Sequence, residues 1–497
     1  MLRTIILAVV LLSLAFAAGA DFDPRDHGAK ADGVAYDTAA LQSAIDACHD
    51  AGGGAVTLSP GTYLTGALEL KSNVGFHIEK GATLLGSDKL EDYPPRVPNL
   101  GSYTDNYTKF AIIYAEDAEN ISVTGAGTID GQGAAFDNAT YDRPYVLRLV
   151  SCRNVAVRDI RMVDGAMWTV HFLNCDNVDV AGVTICSRVN KNNDGLDIDG
   201  CRNVRIANCD ISSGDDAIVL KSTFPRPSEN VAIANCVLST ACNAIKMGTE
   251  SNGGFKNVTI SNCAIYDTRI SGLALEIVDG GTLDGVCVSN LSMKGVGCAI
   301  FVRLGNRARP HVNGGKRPGI GALRNVVISN VEAIVTNPIG CSITGMPGHP
   351  VENLTLDNVR IRFPGGNDGR NVEAPVPEAA DSYPEYKMFG VLPAYGFYCR
   401  HARNISFTNV DLSFKKEDAR PAIVCDDVEQ LDITRLTAEA ADTQPAVLWL
   451  KDTRDARIVQ SRVNGNARAF VRLDGPETRE IDLDDNRLPD VKKAIAK

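Results

Sequence analysis

Three candidate catalytic carboxylates, Asp194, Asp215 and Asp216, stand in two short glycine-containing turns, Asn192-Asn193-Asp194-Gly195-Leu196-Asp197 and Gly214-Asp215-Asp216. Carboxylates crowded together repel when all are ionised, so one keeps its proton near neutral pH while another stays charged. That mixed state suits cleavage of a glycosidic bond. The protonated acid delivers its proton to the departing oxygen, and the ionised partner activates water. Asp and Gly are also ordinary turn residues, and oxygen-rich turns suit calcium. The doubled Asp215-Asp216 in a neighbouring turn argues for the catalytic reading.

Bringing these turns together requires a repeating scaffold, and the chain contains one. An asparagine precedes a short alternating run at Asn154-Val-Ala-Val, Asn177-Val-Asp-Val, Asn203-Val-Arg-Ile, Asn230-Val-Ala-Ile and Asn257-Val-Thr-Ile, in steps of 23, 26, 27 and 27 residues. The pattern begins at Asn120 and returns more loosely at Asn325, Asn353 and Asn404. Units in the twenties, built of short strands and Gly, Asn or Asp turns, predict an all-β parallel β-helix. Residues one repeat apart then become neighbours at about 4.8 Å. A second series, Asn208, Asn235 and Asn262, is expected to form a hydrogen-bonded amide ladder.

Inward apolar pairs align the coils: Val170/Phe172, Leu196/Ile198, Ile218/Leu220, Ile245/Met247, Leu273/Leu275 and Val302/Leu304. Strand alternation turns the intervening side chains outward. One outward column reads His171, Asp197, Val219, Lys246, Ala274, Arg303, and the next reads Asp199, Lys221, Gly248, Glu276, Gly305. A third holds Trp168, Asp194, Asp216, Asn243 and Ser271, with Asp215 alongside. Asp194 and Asp216 therefore share a polar face.

The rest of the chain sets limits on function. Its 497 residues, 44% hydrophobic and 22% charged, are read as an export signal over 1–20 and one β-helix domain over 21–497. The signal reading rests on Arg3, the apolar run over 5–18 and Ala18-Gly19-Ala20, with cleavage after Ala20. Secretion or periplasmic export, no membrane attachment after cleavage, and a monomeric state are expected. A net charge of −11 argues against nucleic acid and leaves a polyanionic substrate dependent on local cations. Fourteen cysteines in an exported chain suggest disulfides, but Cys209, Cys236 and Cys263 recur in the Asn-Cys context and read as stacked buried thiols. The segment Thr38–Asp50 predicts an N-terminal capping helix with Leu41, Ala44, Ile45 and Cys48 on one face. Residues 362–393, rich in Pro, Gly and acids, form an excursion beside the stack, either a cleft wall or a loop.

Asn193-Asp194-Gly195-Leu196-Asp197 and Ser213-Gly214-Asp215-Asp216-Ala217-Ile218-Val219-Leu220-Lys221 resemble two signature motifs of glycoside hydrolase family 28, the polygalacturonase family. Supporting likeness lies in Asp26-His27-Gly28-Ala29-Lys30-Ala31-Asp32-Gly33 and Gly125-Ala126-Gly127-Thr128-Ile129-Asp130-Gly131-Gln132-Gly133, so that the resemblance covers 23–330. It implies a single-stranded right-handed parallel β-helix of the pectin lyase-like solenoid kind, Asp215 as general acid, Asp194 and Asp216 as holders of the attacking water in an inverting displacement, a pectic polysaccharide or oligosaccharide substrate, and neither cofactor nor metal.

Two departures bear on substrate. Cys242-Asn243-Ala244 replaces the family's Gly-His-Gly, and Ala274 with Glu276 replaces its uronate-gripping Arg-x-Lys. An amide orients a hydroxyl but carries no proton at neutral pH. A carboxylate at Glu276 is expected to repel a uronate, which favours a mixed-sugar pectic chain. Lys221, Lys246 and Arg303 are the candidate replacement cations, with Arg303 near enough to pair with Glu276. Trp168 and His171 are expected to line a sugar subsite, Glu250 to bind hydroxyls, and Asn193, Asp197 and Asn243 to complete the substrate contacts. Two alternatives stay open: a calcium-dependent pectate lyase on the same scaffold, and a non-catalytic carbohydrate-binding β-helix.

Overall fold

The computed structural model describes residues 20–370 and 372–496. The apolar run over 5–18 lies outside the described residues, and no helix among the described residues is long and apolar enough to cross a membrane.

The strands pair in parallel with the strand one coil further on, as the asparagine spacing predicts. Val155, Val178, Val204, Val231 and Val258 stand in register from coil to coil. So do Phe172, Ile198, Leu220, Met247 and Leu275, all fully buried. Burying each such side chain stabilises the stack by about 1.5–3 kcal/mol. The chain is thus a parallel β-helix whose core is a set of stacked apolar columns.

Asparagine is used because each coil needs a left-handed residue at the same place. Asn154, Asn177, Asn203, Asn230 and Asn257 have φ between 51° and 58°, a region where a short amide side chain is tolerated better than most. Their amides form a continuous ladder, Asn177 donating to Asn154 (2.9 Å), Asn203 to Asn177 (3.1 Å), Asn230 to Asn203 (3.0 Å) and Asn257 to Asn230 (2.8 Å). The second series also bonds, Asn235 to Asn208 and Asn262 to Asn235, each at 3.3 Å. All fourteen cysteines are free thiols, and Cys209, Cys236 and Cys263 are buried.

The columns need two corrections. Leu275 lies opposite Val302 and Glu276 opposite Arg303, so the final coil is displaced by two residues from the expected alignment. A slip of two keeps every side chain on its own face, and Ile300, Val302 and Leu304 offer equivalent inward partners. The outward face also differs from a solvent surface. His171, Asp197 and Asp199 are completely buried, because irregular excursions between strands lie over this part of the stack.

The helix Thr38–Asp50 buries Leu41, Ala44, Ile45 and Cys48 and packs on the strands Ala20–Phe22 and Gly54–Leu58.

Candidate active site

Each acid turn is fixed by backbone contacts from neighbouring coils. In the first, Asn193 spends its amide on structure: Oδ1 accepts from Asn190 N (2.6 Å), and Nδ2 donates to Gly165 O (2.5 Å). Arg143 donates to Asn192 Oδ1 (3.0 Å) and Lys191 O (2.6 Å). Gly195 is required because a Cβ there would sit 2.4 Å from Ala217 O of the next coil. In the second turn, Ser213 Oγ donates to Asp215 O at 2.6 Å, and Thr240 Oγ1 donates to the same oxygen. Gly195 N donates to Asp216 O (2.9 Å), and Asp215 N donates to Asn193 O (3.4 Å). The two turns are therefore stitched together, and Asp194, Asp215 and Asp216 line one cavity.

Two lysines divide the acids electrostatically. Lys246 Nζ lies 3.1 Å from Asp216 Oδ2, and Asn243 Nδ2 donates to Asp216 Oδ1 (2.8 Å). Burial alone would raise the Asp216 pKa, but Lys246, then Lys221 and the Asn243 amide hold it below the ordinary carboxylate value. Asp215 is raised, by burial first and by the Asp216 charge second. Asp194 is raised well above the ordinary value by burial, with Asp197 and Asp215 adding repulsion. Asp197 is pushed up mainly by burial, and neither of its oxygens has a hydrogen-bond partner. Such a division between adjacent carboxylates supplies a proton donor beside an ionised acceptor.

Lys221 sits among several of these groups. Its Nζ is 3.5 Å from Asp197, 3.6 Å from Glu250 and 3.8 Å from Asp194, and it lies 4.4 Å from the Trp168 ring centroid. Burial would lower its pKa, but Glu250 and the aspartates raise it well above the usual lysine value. Glu250 is held low in turn: burial opposes ionisation, but Lys221, Arg307 and Arg309 outweigh it. Arg309 Nη2 donates to Glu250 Oε1 at 2.5 Å.

The cavity has a volume of about 310 Å³. Trp168, Lys221 and Glu250 line it together with Asp194, Asp215 and Asp216, as expected. It is also lined by Tyr103, Asn106, Tyr107, Tyr141, Arg309 and Tyr383, none of which the repeat pattern indicates. These residues stand on excursions, outside the coil register. Tyr383 belongs to the 362–393 segment, which therefore contributes a cleft wall.

Several expected contacts are displaced from the cavity lining. His171 lies beneath Trp168, its ring 5.1 Å from the indole, with Nε2 3.3 Å from Asp199 Oδ2; burial lowers its pKa to about 4, so the ring is neutral. Asn243 and Lys246 act on Asp216 from the next coil. Arg303 is in register with Glu276 but makes no ion pair with it. Its guanidinium instead donates to the backbone oxygens of Gly345 (3.1 Å) and Glu378 (2.7 Å). Glu276 is buried, and burial raises its pKa to about 8 against the opposing charge of Lys246. Burial thus favours its protonated form near neutrality, which weakens the expected repulsion of a uronate. Asp215, Asp216 and Cys242 each bring one potential metal-ligand atom within 4.8 Å of the others.

A sequence profile of glycosyl hydrolases family 28 matches residues 51–378. A probable polygalacturonase from Vitis vinifera is 28% identical over 368 residues, which cover 68% of this chain and 73% of that protein. An exo-poly-alpha-D-galacturonosidase from Dickeya chrysanthemi is 29% identical over 246 residues, covering 39% of this chain but only 40% of that protein. Among solved structures, a hyperthermoactive exopolygalacturonase from Thermotoga maritima superposes with a TM-score of 0.58 at 23% identity, covering 69% of this chain and 87% of that one. At that identity the superposition speaks for the fold.

Proposed function

The chain belongs to glycosyl hydrolases family 28, and from that membership we propose that it cleaves α-glycosidic bonds of pectic chains, of galacturonan or rhamnogalacturonan type, in one inverting displacement. The observation that carries this reading is that Asp194, Asp215 and Asp216 line one cavity with Lys246 Nζ 3.1 Å from Asp216 Oδ2, a placement that favours ionised Asp216 beside a protonated Asp215. Asp215 holds the proton for the leaving oxygen. Asp216, kept ionised by Lys246, accepts a proton from the attacking water, and Asp194 helps to position that water. The glycosidic C–O bond breaks as the new bond to water forms on the opposite face, so no covalent sugar–enzyme link is needed.

Arg309 supports an acidic sugar in the substrate. It lines the cavity, its side chain is 28% exposed, and it lies over the Tyr103 ring at 4.0 Å. It offers a cation where Ala274 and Glu276 offer none. Tyr107 and Tyr141 line the same space and offer aromatic surface against which a pyranose can pack. Export to the periplasm or the medium and a monomeric state complete the proposal; export rests on the run over 5–18 and Ala18-Gly19-Ala20.

The test is incubation with defined galacturonan and rhamnogalacturonan oligosaccharides, followed at once by proton NMR. Saturated products whose new reducing end has inverted configuration are expected, with turnover undiminished by a chelator. An unsaturated, ultraviolet-absorbing end lost on chelation would establish lyase chemistry, and binding without turnover would establish a carbohydrate-binding role.

A further inference from the structure

A bare parallel stack would offer a long polymer an open lane along its outward face. In this chain the lane is interrupted on both sides of the acids. Toward the earlier coils, Tyr107 packs edge-on against Tyr141 at 5.3 Å and against Trp168 at 5.2 Å. Toward the later coils stands Tyr383, its hydroxyl 3.4 Å from Lys246 Nζ and its ring 5.6 Å from the Arg307 guanidinium. A third side is closed by contacts between two excursions: Arg309 Nη1 donates to Tyr103 Oη (2.9 Å), and Asn313 Nδ2 donates to Asn106 Oδ1 (2.7 Å).

The enclosed length is short. The coils of Trp168 and Lys246 are separated by three strand pairings, about 14 Å at the usual spacing. The volume of about 310 Å³ is near the lower end of the range for small-molecule pockets, about 300–1,000 Å³. Internal cleavage requires the chain to continue past the enzyme on both sides of the scissile oxygen. Along the stack, Tyr107 with Tyr141 stands at one end of this space and Tyr383 at the other. The walls are presented for contact with sugar: Tyr141 is 46% exposed and Tyr383 is 53% exposed.

We propose that this cavity receives the end of a pectic chain, so that the enzyme releases a mono- or disaccharide from a terminus and does not cut internally. The inference rests on the pectic hydrolase reading above and adds the position of attack. Each turnover consumes one water and breaks one terminal C–O bond; Asp215 gives its proton to the departing oxygen, and the water proton passes to Asp216.

The experiment uses long oligogalacturonides and rhamnogalacturonan oligosaccharides labelled at the reducing end, with early samples resolved by chromatography and polymer viscosity followed in parallel. From the first samples, one short product and a substrate shortened by that unit are expected, with viscosity almost unchanged. Mid-length fragments and a rapid fall in viscosity would overturn end capture while leaving the hydrolase reading intact. No product from either substrate would overturn both. Tyr383→Ala opens the later side and is expected to raise the share of internal cuts about tenfold, whereas Tyr383→Phe keeps the wild-type profile. An unchanged profile in Tyr383→Ala would remove Tyr383 as the barrier and with it the closed pocket.

Discussion

Lys246 Nζ lies 3.1 Å from Asp216 Oδ2, across one coil step, with both side chains almost wholly buried. This contact separates the behaviour of two neighbours in the chain. Asp216 has a cation against it, and Asp215 faces the Asp216 charge.

Lys246→Met removes the cation that lies against Asp216 and holds its pKa low. Burial then raises the Asp216 pKa, and on the proposed mechanism the base that activates water is protonated over a wider acidic range. The acid limb of kcat/KM is expected to move to higher pH, and the alkaline limb, which the proposed mechanism gives to Asp215, to remain above the ordinary carboxylate value. Breaking the buried pair also costs about 3–5 kcal/mol of stability. The pH profile and a denaturant titration check the two effects separately; an unmoved acid limb would assign the Asp216 ionisation to Asn243.

Asp215→Asn preserves shape but cannot donate a proton to a leaving oxygen. A fall of about 10²- to 10⁴-fold in kcat is expected, with substrate affinity little changed. Calorimetric binding of a pectic oligosaccharide alongside steady-state kinetics checks both quantities. Near-wild-type turnover would displace Asp215 as the acid.

Glu276 gives a pH-dependent stability effect with a defined sign. Its pKa rises from 4.5 to about 8 on folding, so between these values the native state holds a proton that the unfolded chain has released. Stability from this group therefore falls as pH rises through that window. Glu276→Gln removes the penalty. Its advantage over wild type is expected to grow between pH 5 and pH 8 by on the order of 3 kcal/mol, read by chemical denaturation at the two pH values.

Asn230→Ala tests the amide ladder. The substitution puts a β-carbon without an amide at φ 58° and removes bonds to Asn203 and from Asn257. A loss of about 1–2 kcal/mol is expected. Asn230→Gly keeps the backbone freedom and is expected to lose about half as much, so the pair of variants separates the amide bonds from the left-handed turn.

The coil architecture was legible because it depends on local, repeated rules. Asn203, Asn230 and Asn257 mark one left-handed position in successive turns, and the apolar pairs between them define the inward face. The grouping of Asp194 with Asp216 followed from the same alternation, without a contact map. What stayed hidden lies where that alternation stops. Tyr103, Tyr107, Arg309 and Tyr383 reach the cavity from excursions whose paths no periodicity sets. Arg303 donates to the Gly345 and Glu378 carbonyls, acceptors that come from segments distant in the chain. The neutral state of Glu276 depends on burial, which the strand pattern alone does not report.

Since Asp194 and Asp216 are held by consecutive coils, their relative placement is tied to the pitch of the stack, a quantity that changes in the surrounding excursions leave untouched. Lengthening or trimming 305–321 or 366–396 would alter the shape of the sugar admitted while the proton-transfer machinery kept its dimensions. In this scaffold, the capacity to hydrolyse and the choice of what is hydrolysed can diverge independently over evolutionary time.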